Sequence, residues 1–207
     1  MRIGDVLLRN LIENAINMDQ KENLGKRTKS SKRVDQVVEL IRSCGISFSI
    51  WENKVKDGRG DSIKNLDWTS PTRTEFKKIL HLLPEKLRVS ECVPENARDS
   101  LSKLWADFYA LYSVINAWSP SDEQIDGFFG SAQKWVSDFT SLRVCLEGFD
   151  FKYVTPYMHI LVYHVSFFLR KYRSIKQFIG QGVEKCNDDI KMIYHRKSNN
   201  HDSTAES

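Results

Sequence analysis

Glycine and proline are scarce in this chain, ten and five in 207 residues. An all-β protein of that size spends more of both on its turns. Cysteine is scarcer still: Cys44, Cys92, Cys145 and Cys186 stand singly, with no C-x-x-C pair. That excludes a small disulfide-stapled scaffold and predicts reduced thiols in an intracellular setting. Long apolar runs are missing too. The longest, Tyr157 to Leu169, is broken by His159, His164 and Ser166, and a bilayer span takes about 20 apolar residues. Asp5, Arg9 and Glu13 interrupt the N-terminal segment, so it does not read as a signal peptide. The sequence therefore predicts no membrane partner. It also lacks internal repeats and a glycine-rich phosphate loop.

Aromatic residues, in contrast, are plentiful: 11 Phe, 7 Tyr and 5 Trp. With 41% hydrophobic and 28% charged residues, the chain has enough apolar surface for a real core and is not disordered as a whole. The net charge of +4 is compatible with a nucleic-acid partner without demanding one.

Hydrophobic spacing organises the chain into helices. Leu8, Leu11, Ile12, Ala15 and Ile16 predict a helix over 3–18. Residues 19–33 are polar and basic and read as a flexible, solvated loop. Val34, Val37, Val38 and Ile41 predict a second helix stopping at Gly45. Ile46 to Trp51 alternates as a short strand or extended segment would, and 56–67 reads as a polar loop. Within that loop Gly58-Arg59-Gly60-Asp61-Ser62 spells an adhesion peptide, but a polar turn accounts for it.

Ser70-Pro71 predicts a helix start and Pro84 its end. Two long helices follow. One carries Leu101, Leu104, Trp105, Phe108, Leu111, Tyr112, Ile115 and Trp118; the other carries Ile125, Phe128, Phe129, Ala132, Trp135, Val136, Phe139 and Leu142. A tight Ser119-Pro120-Ser121 turn between them predicts antiparallel packing. Thr155-Pro156 opens a further helix with Tyr157, Ile160, Leu161, His164, Val165, Phe168, Leu169 and Tyr172 expected inward. A last helix is expected from about Gln181 to Lys197, then a disordered tail. The fold class is mainly α: a six- or seven-helix array with no complete sheet.

Residues 154–199 hold two unusual features. One is His159-x4-His164; the other is Gly180-Gln181-Gly182-Val183-Glu184-Lys185-Cys186-Asn187, a carboxylate just inside a helix after a glycine turn. Thr155, Tyr157, His159, His164, Val165, Ser174, Ile175, Gly182, Glu184 and Asn187 follow the order, and nearly the spacing, of one known family. The stretch resembles the C-terminal end of the catalytic core of Transib-type DDE transposases and of the V(D)J recombinase catalytic subunit.

The resemblance implies a parent reaction of Mg-dependent DNA strand cleavage and transfer. In that family three carboxylates on an RNase H-like sheet hold two divalent metals. Glu184 matches the last carboxylate, so it is the expected catalytic and Mg-binding residue. His159 and His164 match a zinc-binding His pair in the family's helical insertion. Arg170, Lys171, Arg173, Lys176 and Lys185 are the expected DNA contacts, and a homodimer is the expected state of the parent enzyme, in the nucleus. Residues 1–175 correspond to the insertion-type domain, 176–199 to the final catalytic helix and 200–207 to a tail.

The departures are specific. The family's two catalytic Asp lie upstream of the insertion. The context of the second runs into the segment that begins this chain, so Met1 is expected to fall just after it. Asp5 sits in a predicted helix and replaces neither. The family's zinc site also uses a Cys pair, which this chain lacks, leaving Cys44 as the candidate for one ligand. On a straight α-helix residues five apart point about 140° from each other, so the two His would need a local distortion to share a metal. The expectation is a fragment that is catalytically silent alone. The alternative is a non-catalytic helical module, of transposon origin, that binds protein or DNA.

Overall fold

A computed structural model of the protein describes residues 2–26, 31–56 and 62–176. The fold is a mainly α, multi-helix array with one small hairpin. Five helices build most of it: α1 (Arg2–Glu22), α2 (Lys32–Arg42), α3 (Arg73–Arg88), α4 (Glu95–Ile115) and α5 (Asp122–Ser141). Two 3-10 turns, Leu142–Val144 and Phe151–Tyr153, lead into α6 (Pro156–His159). A π-helical turn, Ile160–Val165, joins α6 without a break to α7 (Ser166–Tyr172).

α1 is longer than its apolar spacing predicts and takes in the first residues of the expected 19–33 loop, to Glu22, while α2 begins within its end, at Lys32. The reason is Asp19. It is buried, and its carboxylate accepts the main-chain N–H groups of Arg33 and Val34 at 2.9 and 3.0 Å. Ser31, the residue that starts α2, makes no side-chain cap. A carboxylate from another helix therefore takes the orphan donors of the first turn.

β1 (Ile50–Lys56) and β2 (Ser62–Trp68) pair antiparallel, with Ile50 opposite Trp68. The region read as a polar loop over 56–67 is therefore half strand. Residues 57–61, and with them most of the adhesion-like peptide, lie outside the described residues. Ahead of the hairpin the chain is extended. Ile46 and Phe48 point into the core while Ser47 and Ser49 face out, and Arg42 holds the Phe48 carbonyl at 2.7 Å.

α3 starts two residues later than Ser70-Pro71 suggests. Thr72 caps it in a reciprocal box with Glu75: the Glu75 N–H donates to the Thr72 hydroxyl, and the Thr72 N–H donates to the Glu75 carboxylate. Pro84 does not end the helix. It lies inside α3, where Leu83 and Leu87 are fully buried. The Ser102 hydroxyl on α4 donates to the Pro84 carbonyl at 2.7 Å. Burial of that last turn offsets the one hydrogen bond proline removes.

α4 and α5 form the predicted antiparallel pair. α4 ends at Ile115, earlier than expected, which leaves Trp118 exposed in the turn. Ser121 and Gln124 form a second capping box at the start of α5. The predicted aromatic stripe is core. Phe76 stacks on Trp105, and Trp135 touches both Phe108 and Phe139. The Trp135 indole donates to the Leu104 carbonyl at 2.9 Å, pinning α5 to α4.

α1 also fixes the chain that enters the last described helix. Asn10 donates to the Gly148 carbonyl, and Asn14 exchanges hydrogen bonds with the main chain of Glu147. Gly148 has φ +84°, and a Cβ there would lie 2.7 Å from the Asn10 oxygen. Only glycine fits this turn.

Candidate functional site

Thr155 is the N-cap residue and Pro156 the first residue of α6, as the sequence predicts. The inward face keeps two of the predicted residues, Leu161 and Leu169, and is rotated to take in Met158, Val162 and Ser166, all buried. Tyr157, Ile160, His164, Phe168 and Tyr172, all expected inward, are exposed. The segment is apolar on nearly every side, so periodicity offers two equally good registers. Contacts with α5 choose between them.

The π-helical turn decides the geometry of the histidines. In such a turn the hydrogen bonds run between residues five apart. The rings of His159 and His164 accordingly meet, with centroids 5.5 Å apart and planes at 62°. Tyr163 lies against His159 at 4.7 Å and edge-on to Phe129 of α5 at 5.8 Å. The distortion that two histidines five apart need to act together is thus built into the helix.

Both imidazoles are exposed. Among the described residues, no cluster of three or more His, Cys, Asp or Glu is arranged to hold a metal. Cys44 does not join the pair. It is buried, its thiol donates to the Leu40 carbonyl at 3.4 Å, and burial pushes its pKa up. The two His alone supply half of a tetrahedral structural zinc shell. Glu184, the expected Mg ligand, and Lys185 lie outside the described residues, as do Cys186 and the helix expected at 181–197.

The predicted DNA-contacting cations differ in their surroundings. Arg170 is exposed. Lys171 lies over the rings of Phe167 and Tyr172 at 5.7 and 5.2 Å. Lys176 lies over Trp118 at 4.6 Å. Arg173 takes a left-handed conformation at the end of α7, and its guanidinium pairs with Asp122 at the start of α5.

A further feature of this region escapes a reading based on periodicity. Residues 151–176 contain five Lys or Arg, two His and no acid. They also contain seven aromatic rings, Phe151, Tyr153, Tyr157, Tyr163, Phe167, Phe168 and Tyr172, each between 37% and 63% exposed. The charge distribution makes the same point. Residues 1–150 carry 22 basic and 22 acidic side chains, whereas 151–207 carry nine and five. The signal was present in the sequence as a gap in the acids.

These features give a mainly helical array whose last described segment, 151–176, is basic, rich in exposed rings and without an acid of its own. No family model matches the chain. No solved structure matches it either. Among curated proteins it is similar to Apolipophorins of Drosophila melanogaster, at 26% identity over 154 residues, which is 67% of this chain and 4% of that protein. The chain thus spans a small part of the relative it matches. Among the described residues, no helix is long and apolar enough to cross a membrane.

Proposed function

We propose that this chain is the C-terminal, helical part of a DDE-type DNA transposase or recombinase-like protein, and that it contacts DNA without cutting it alone. The observation that carries the DNA contact is the segment 151–176, which has no acid of its own, exposes seven rings and carries Lys152, Arg170, Lys171 and Lys176. Cations neutralise phosphates and release counterions, while ring faces stack on exposed bases. The likeness of 154–199 to the Transib-type core supports the parent reaction, and the joined His159–His164 pair supports a metal-binding ancestry.

Two divalent metals, held by Glu184 and two Asp from an RNase H-like sheet, would supply water or 3′-OH activation in the parent enzyme. One carboxylate cannot hold both. Zinc at His159 and His164 would need further ligands to complete four.

Fluorescence anisotropy with a labelled duplex tests the contact. The expected result is salt-sensitive binding, with the log–log salt slope falling by about one when Lys171→Gln removes one phosphate partner. Binding unaffected by the charge of 151–176 would refute it. Incubation with Mg²⁺ or Mn²⁺ should give no cleavage. Robust cleavage abolished by Glu184→Gln would overturn the silent-fragment reading. The exposed rings also favour a second reading, a non-catalytic module whose face meets a protein partner, since interfaces are enriched in aromatics and Arg.

A further inference from the structure

A cavity of about 740 Å³ lies between the end of α5 and the helix of the histidine pair. That is the size range of small-molecule sites. Its walls are mostly apolar, with Val136 on α5 facing Val154, Met158 and Val162. No Asp or Glu lines it.

Its one arginine is held ready. The Arg143 guanidinium lies 4.8 Å from the Phe151 ring centroid, and one of its N–H groups donates to the Thr140 carbonyl at 3.1 Å. Among the described residues Arg143 makes no ion pair. Arg33, Arg88 and Arg173 pair with carboxylates, whereas Arg143 shares its unpaired state with Arg9, Arg42, Arg73 and Arg170; what sets it apart is its place at the cavity wall against Phe151. A planar fork stacked on a ring, with donors to spare beside an apolar cavity, suits a planar anion with an apolar body.

We propose that this cavity binds a small amphipathic carboxylic acid, its chain against Val136, Val154, Met158 and Val162 and its carboxylate on Arg143. A carboxylate is favoured over a phosphate dianion because one guanidinium provides one full charge and two parallel donors. The cavity shares Phe151, His159 and Tyr163 with the 151–176 segment, while Val136, Ser137 and Arg143 lie outside it, so substitutions at the latter test this site separately from the DNA reading.

Isothermal titration of the whole chain with octanoate and with octanol tests the assignment. Octanoate should bind saturably at one site. Octanol should bind at least about tenfold more weakly, the cost of one charge-assisted hydrogen bond. Arg143→Gln should weaken octanoate by a similar factor and leave octanol unchanged. Ser137→Trp, at an exposed position lining the cavity, should abolish binding of both while duplex DNA binding persists. Circular dichroism of both variants confirms folding. Equal affinities for acid and alcohol would overturn the proposal. So would octanoate binding that survives either substitution, or no binding at all.

Discussion

The carboxylate of Asp19, near the end of α1, accepts the main-chain N–H of Val34, in the first turn of α2, at 3.0 Å. It also takes both of its oxygens to the Arg33 N–H. One side chain thus joins two helices across the segment between them. Asp19→Ala should destabilise the protein by about 1–3 kcal/mol, because partly buried donors lose their acceptor. Urea denaturation measures the loss. Faster hydrogen exchange at Arg33 and Val34 distinguishes loss of the cap from general loosening.

The two core indoles should respond differently to truncation. Trp135 donates to Leu104, whereas the Trp105 N–H is buried with no partner among the described residues. Trp135→Phe should therefore cost about 1 kcal/mol more than Trp105→Phe. Thermal unfolding of the pair of variants checks the ordering. Equal losses would mean that the hydrogen bond contributes nothing net.

Glu91 accepts from Lys32 and Arg33, at 3.0 Å each, and these cations hold its pKa below the ordinary carboxylate range. A depressed folded pKa contributes stability that is full above the unfolded value, about 4.3, and is lost as pH falls through the folded one. Glu91→Gln should lower the melting temperature slightly at pH 7. Below about pH 4 the difference should shrink toward zero. A difference independent of pH would assign the effect to something other than the charge.

The histidine pair predicts a metal response that depends on both rings. Zn²⁺ or Ni²⁺ added to the chain should bind through His159 and His164 together, and each single His→Ala substitution should remove most of the affinity. Titration by calorimetry measures this. On an unbroken α-helix the two rings would diverge, and the single variants would act independently.

Much of this array was legible in the residues. The spacings in α4 and α5 hold over many turns, and burial alone produces such a pattern. The Ser119-Pro120-Ser121 turn and Thr155-Pro156 marked their helix starts correctly. The hairpin was not legible because Lys54, Lys56, Lys64 and Asn65 give its strands no apolar alternation. Pro84 misled because its cost is local, whereas the burial of Leu87 that offsets it is tertiary. Asp19 looked like a loop residue because its partners lie 14 and 15 positions away. The rotation of the last helix was hidden by a sequence apolar on both sides. The π turn, which lets the histidines meet, left no separate mark in the sequence.

The uneven placement of charge has a physical consequence for the molecule as a particle. Its first 150 residues are electrically balanced, and the whole excess of +4 belongs to the remainder. The described stretch 151–176, with five Lys or Arg and no acid of its own, is drawn first toward a polyanion, and that pull fades with added salt. Retention on a cation exchanger would then report that one region instead of the net charge.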